Sequence, residues 1–395
     1  MNLAAIQQAL VQRKLDGWLL YDFRGQNPTA VSLLGLGGHM LTRRWFYLVP
    51  ARGTPTLLVH AMEISGFPAA IAGERWIYAS WGSLHDAIRR LIAAAGGPRL
   101  AMEYCPMGAI PYLSRVDAGM LELVKSLGAD VVSSGDLVQE ALRYSPAQIE
   151  SHVRAMKIIE AAKDAAFARI GDELRAGRTI SETDVQRFLV ERFRDATVEA
   201  DHAPIVAVNG HAAAPHYAPS EETPTPIRRG DTVLIDLWAV EPHAGSVYAD
   251  ITWMAYCGEQ PPDRVSQMFR VITDARDRGL ETIRAASRDG RVIEGWQVDR
   301  VVRDHITAHG FGDRFIHRTG HSIGTTSVHG DGANLDDLET HDTRALIEGS
   351  VFSIEPGIYA PDENVGVRTE IDVVMTPSGP QVFSAVQKDL IRIAV

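Results

Sequence analysis

Cysteine is almost missing from this 395-residue sequence: Cys105 and Cys257 stand in different halves of the chain and form no CxxC pair. That excludes a disulfide framework and a thiolate metal or redox motif, and it points to a reducing compartment. Basic runs are missing too. A net charge of −11 with no Lys/Arg stripe excludes a nucleic-acid surface as partner. No apolar run approaches the length that spans a membrane. The start, MNLAAIQQALVQRK, lacks the basic-then-apolar order of a signal peptide and instead carries Leu3, Ile6 and Leu10 at helical spacing. The expected location is therefore the cytoplasm. GLGG (35–38) has neither the spacing nor the strand–turn–helix context of a dinucleotide fingerprint.

What is present is ordinary for a globular protein: 45% hydrophobic and 23% charged residues, in a chain long enough for two cores. Strand and helix signals alternate over residues 1–140, with strands expected at 17–23, 45–50, 54–60, 99–104 and 130–134. Ser83 is expected to open a helix that Gly96 closes, and a second helix ends near Gly128. This predicts an α/β domain. From Ser145 the pattern changes. Ser145-Pro146 with Gln148 reads as a capping box, followed by a long helix to Arg175. Ser181 with Asp184 starts another helix, and a hairpin across 240–246 follows. Two further helices (263–288 and 293–309) precede strands near 350–356, 366–375 and 380–385. Two helix–helix–hairpin halves make residues 147–395 an α+β domain with an internal structural duplication.

That domain holds Asp236, Asp250, His321, Glu355 and Glu370. Three of the acids fall in strand-like runs, VLIDLW (233–238), VFSIEP (351–356) and VGVRTEIDVV (365–374). Buried carboxylates need a partner, and few basic residues stand beside these. Acids from neighbouring strands of one curved sheet can converge on a point. Four oxygen donors and one imidazole suit Mn, Co, Fe or Zn. Any one of these residues alone is more often structural; the combination leads to a dinuclear hydrolase.

DLWAVEPHAGSVYADIT (236–252), HRTGHSIGTTSVH (317–329), SIEPGIY (353–359) and GVRTEID (366–372) resemble the motifs of the pita-bread metallopeptidases. The two-domain layout is similar to the Xaa-Pro dipeptidases (prolidases) and Xaa-Pro aminopeptidases. The resemblance implies a creatinase/prolidase-like N-terminal domain, then a pita-bread catalytic domain with a curved antiparallel sheet and helices outside. It implies two divalent ions per subunit, manganese foremost, with cobalt or zinc as alternatives, and a homodimer. Asp236 would chelate one ion, Asp250 and Glu370 would bridge both, and His321 and Glu355 would complete the second. His216 and His329 match histidines that contact substrate or move protons, His317 matches a pocket histidine, and Arg368 would orient Glu370 or a substrate carboxylate. The implied reaction is hydrolysis of a Xaa-Pro dipeptide or short peptide by a metal-bridging hydroxide, with Glu355 taking its proton. Trp238 and Trp253 depart from the family pattern, as do a longer 236–250 segment and one extra residue between His321 and His329.

Three other readings compete. An aminopeptidase would act on longer Xaa-Pro peptides. A serine hydrolase would use Ser322 in GHSIG (320–324), which requires a strand before it and a helix after it. A binding protein on the same fold would have lost its metal ligands, whereas all five positions are filled here.

Overall fold

The computed structural model describes residues 2–395. The chain clusters into two compact units, Met1–Leu142 and Arg143–Val395.

In the first unit, strands β1 (Gly17–Asp22), β2 (Trp45–Pro50), β3 (Thr56–His60), β4 (Glu74–Tyr78), β5 (Arg99–Met102) and β6 (Asp130–Ser133) form one mixed sheet in the order β4-β3-β2-β1-β5-β6. The helices are α1 (Leu3–Gln12), α2 (Pro28–Leu33), α3 (Trp81–Ala94), α4 (Ala118–Ser126) and α5 (Gly135–Ala141). Strand β1 explains the layering. Trp18 and Leu20 pack with Ile6 and Leu10 of α1 and Leu137 of α5, while Leu19 and Tyr21 pack with Ile88 of α3 and Val124 of α4. Both faces are covered, so β1 and β2 read as continuous apolar runs. Edge strand β4 is mostly exposed and carries no such run, which is why the sequence pattern misses it. Helix α3 starts earlier than expected: Ser80 is its N-cap, and Ser83 is the returning partner of the capping box.

The second unit begins with α6 (Pro146–Arg175), capped by the box of Ser145 and Gln148. Then come β7 (Ile180–Ser181), α7 (Glu182–Asp195), β8 (Ile205–Val208), β9 (Pro226–Ile227), β10 (Thr232–Ala239) and β11 (Ala249–Tyr256). The second half holds α8 (Asp263–Arg288), α9 (Gly295–Ala308), β12 (Val351–Ile354), β13 (Gly357–Ala360), β14 (Val365–Arg368), β15 (Ile371–Thr376), β16 (Gly379–Gln381) and β17 (Ile391–Arg392). The ladders are β17-β11-β10-β8, β12-β15-β16 and β13-β14, with β7 paired to β9.

Alternation along β10 and β11 sends Val233, Ile235, Leu237, Ile251 and Trp253 against α6 and α7. Asp236, Trp238, Asp250 and Thr252 are left on the opposite face, because side chains switch faces at every residue. Trp253 thus faces away from those acids, and the buried Lys163 of α6 lays its ammonium 3.5 Å from the centre of the Trp253 ring.

The run 366–375 is not one strand. It breaks between β14 and β15, which pair with different partners. At the break Thr369 Oγ1 accepts from Arg276 Nη1 at 2.8 Å, and Glu370 N–H donates to Thr252 O at 3.2 Å. These bonds draw both residues off the ladder.

Candidate metal centre

Strands β10 and β11 place Asp236 opposite Thr252 and Trp238 opposite Asp250. Asp250 is buried, and its N–H donates to Asp372 Oδ2 at 2.8 Å. Glu370, at the strand break, accepts from Thr252 Oγ1 at 2.8 Å through Oε2. Glu355 follows β12; its N–H donates to Thr319 O at 2.7 Å, and Ser353 Oγ donates to its Oε1 at 3.2 Å.

His321 reaches this group because Gly320 lets the backbone press against β12. A Cβ on Gly320 would collide with the Ser353 carbonyl. The segment is then pinned by His321 N–H on Ser353 Oγ at 3.0 Å and Ser353 N–H on His321 O at 2.8 Å. His321 Nδ1 lies 3.1 Å from Ser322 O, which assigns the ring proton to Nδ1. Its Nε2 lone pair faces Glu355 Oε1 at 3.4 Å and Asp250 Oδ2 at 3.6 Å.

Asp250, His321 and Glu370 each offer a donor atom, and these atoms all lie within 4.8 Å of one another. Asp250 Oδ1 and Glu370 Oε1 are buried without a hydrogen-bond partner. Burial, reinforced by neighbouring carboxylates, pushes Asp250 and Glu370 well above the usual carboxylate range, and burial raises Glu355 as well. Crowded acids, orphaned oxygens and a lone pair directed among them make a donor set that fits divalent cations.

Arg368 stands among the acids. Its Nη2 donates to Asp236 Oδ2 at 2.5 Å, and its Nε donates to Thr252 Oγ1 at 3.2 Å. It therefore touches Asp236 directly and acts on Glu370 through the Thr252 hydroxyl. From Nη1, bonds run to Pro215 O at 3.4 Å and to the Tyr359 hydroxyl at 3.2 Å. Tyr359 in turn meets His317 Nε2 at 2.6 Å, while His317 Nδ1 meets Arg318 O at 2.7 Å. Burial, with Arg368 nearby, lowers His317 to about 3, so the ring is neutral and the Tyr359 O–H donates to it.

A profile of metallopeptidase family M24 matches residues 152–377. The chain belongs to that family. It is 28% identical over 369 residues to a Mycobacterium tuberculosis protein named probable dipeptidase PepE, covering 92% of this chain and 89% of that one. It is 30% identical over 187 residues to a Xaa-Pro dipeptidase of Pyrococcus furiosus, covering 47% of this chain and 48% of the relative. The crystal structure of dipeptidase PepE from Mycobacterium ulcerans superposes with a TM-score of 0.69 at 23% identity, covering 100% of this chain and 97% of that one. The pita-bread fold expected from the motifs is therefore present in this M24 chain, behind an N-terminal domain.

Of the residues singled out in the sequence, the structure gathers Asp236, Asp250, His321, Glu355, Glu370 and Arg368, with His317 tied in through Tyr359. The exposed His329 sets its ring edge-on to His321, centroids 4.2 Å apart. His216 is exposed on the turn after the Asn209–Ala213 segment, next to the Pro215 carbonyl that Arg368 holds. Ser322 lacks the elbow its motif requires: it forms an isolated bridge with Phe352, and the next regular strand or helix is β12. No described helix is long and apolar enough to cross a membrane. Thr252, Ser353, Tyr359 and Asp372 escaped the sequence reading. Thr252 and Asp372 each lie two residues beyond a candidate ligand, and that even spacing was the available signal.

Proposed function

We propose that this chain is a metal-dependent dipeptidase that cleaves the bond before proline in Xaa-Pro dipeptides. The carrying observation is the buried convergence of Asp250, His321 and Glu370 with unpartnered oxygens, flanked by Asp236 and Glu355. In this reading those five residues hold two divalent ions, manganese foremost. When bound, the ions supply an activated water and polarise the scissile carbonyl. The names of the M. tuberculosis and P. furiosus relatives support dipeptides as substrates and proline as the second residue.

The chain's own residues divide the remaining work. Glu355, against the His321 imidazole, accepts the proton of the attacking water. The leaving proline nitrogen carries no hydrogen and must be protonated to depart. His216, exposed next to Pro215, is the donor; His329, lowered to about 3 by desolvation and by the neighbouring His321, carries a neutral ring that relays a proton. Arg368 holds Asp236, and through Thr252 it fixes Glu370, so the two sides of the site keep their spacing.

The test is hydrolysis by the manganese-loaded protein of Ala-Pro, Ala-Ala and the tripeptide Ala-Pro-Ala, with metal content measured in parallel. Cleavage of Ala-Pro ahead of both others is expected. Preference for the tripeptide would make it an aminopeptidase, and equal use of Ala-Ala would remove the proline requirement.

A further inference from the structure

Asp201, between α7 and β8, is an acid that the mechanism above does not use. Trp238 Nε1 donates to its Oδ1 at 2.5 Å, and Ser327 Oγ donates to its Oδ2 at 2.9 Å. Both donors are neutral, so they orient the carboxylate without cancelling its charge. No lysine or arginine pairs with it among the described residues; His202 Nδ1 at 3.6 Å is the nearest basic atom. Its side chain stays 23% exposed, unlike the enclosed acids of the metal centre, and a ligand can reach it.

Its two donors locate it. Trp238 stands directly opposite Asp250 across β10 and β11. Ser327 is two residues before His329, whose ring leans on His321. The Asp201 charge also acts on both Asp250 and His329. Asp201 therefore overlooks the Asp250–His321 side of the site, held there by its own strand partner and its own histidine loop. A cleft of about 490 Å³, set apart from the metal-centre residues, runs past it along Phe193, Val198 and Pro242, with Glu199 and Arg194 as its other charged lining residues.

We propose that Asp201 is a specificity-determining residue that receives the positive charge on the first residue of the substrate. The inference rests on the peptidase reading above. In any unblocked peptide the α-ammonium lies two bonds from the scissile carbonyl, so a carbonyl held at Asp250 and His321 brings that charge to this side. Burial works to raise the Asp201 pKa, but the hydrogen bonds from Trp238 and Ser327, with His202 beside them, outweigh it and hold the carboxylate below its usual range. The same chemistry would also accept a lysine or arginine side chain at the first position, extended into the cleft.

The experiment compares D201N with the wild type, both manganese-loaded, on Ala-Pro, Lys-Pro and N-acetyl-Ala-Pro. Asparagine keeps the shape and an acceptor for Trp238. A KM about tenfold higher is expected for the unblocked peptides, with kcat within about twofold, as for loss of one charge-assisted hydrogen bond at a partly exposed site. If Ala-Pro and Lys-Pro lose equally and the acetylated peptide does not change, the α-ammonium is the ligand. Loss confined to Lys-Pro assigns the side-chain cation. Unchanged KM for both, or equal loss on all three peptides with a lower melting temperature, overturns the proposal. Calorimetric titration of the same peptides into E355Q and E355Q/D201N proteins reads binding without turnover. Peptides that bind through Asp201 but are never cleaved by the wild type would sink the dipeptidase reading and leave this one standing.

Discussion

Arg368 Nη2 lies 2.5 Å from Asp236 Oδ2, and both side chains are shielded from water. The same guanidinium reaches Glu370 by way of Thr252, so one cation sets the separation of an acid on the β10 ladder from one at the break between β14 and β15. Breaking one side of a buried ion pair costs about 3–5 kcal/mol, because the abandoned charge has lost its water as well. Arg368→Met is expected to lower the stability of the chelator-treated protein by that order, where no cation can compensate Asp236, and to reduce kcat of the metal-loaded protein. Urea unfolding monitored by tryptophan fluorescence checks the first effect. A midpoint unchanged from wild type would contradict it.

Glu355→Gln keeps volume and a carbonyl oxygen but cannot accept a proton. A fall in kcat of about 10²–10⁴-fold is expected, with a much smaller change in KM. Activity within threefold of wild type would remove Glu355 from proton transfer.

The acids also fix a pH response. In the metal-free fold Asp250, Glu370 and Asp372 hold protons well above the usual carboxylate range, mainly through burial. The unfolded chain releases such protons near pH 4, so above that pH the fold binds more protons and its stability falls as pH rises. His152 and His317, depressed by burial to about 4 and about 3, work in the opposite sense. Their contribution grows only until the unfolded histidines lose their protons near pH 6.5. Above about pH 7 the histidine contribution is complete, so the acids, with the buried Cys257 thiol acting in the same sense, set the sign, and the melting temperature of chelator-treated protein is not expected to rise with pH. Divalent cations replace those protons, so added manganese should raise the melting temperature more at pH 8.5 than at pH 7. Scanning fluorimetry with and without chelator reads both slopes. A rising melting temperature in the metal-free protein would contradict this account.

Gly320→Ala puts a methyl group into the Ser353 carbonyl. The His321 segment must then back away from β12. Manganese affinity measured by calorimetry is expected to fall at least tenfold while the far-ultraviolet circular dichroism spectrum keeps its shape. Unaltered affinity would show that the close approach does not position His321.

Much of this was readable from the residues because local chemistry and tertiary packing agree there. Ser145 with Gln148, and Ser181 with Asp184, are complete capping boxes in the sequence and in the fold. The five candidate ligands were readable because acids in apolar runs need an explanation. The break at Thr369–Glu370 was not, since it depends on Arg276, Pro356 and Thr252, residues remote in sequence whose bonds pull the chain off its ladder. Arg368 on Asp236 was hidden for the same reason: spacing pointed to Glu370, and the side chain crosses to another strand. Trp253 looked like an altered position in the site. Counting alternate residues from Asp250 would have turned it outward, onto Lys163.

The strand break at Glu370 has a mechanical consequence. Asp236 and Asp250 belong to one ladder, Glu355 follows a strand of another, and Glu370 hangs between β14 and β15. A pair of ions sharing these ligands would act as a rivet through the two halves of the domain, unable to let go of one half without releasing the other. Amide hydrogen exchange should therefore show β11 and β15, which the Asp250–Asp372 and Glu370–Thr252 bonds already join, opening together at a higher free energy once cations are bound than in metal-free protein.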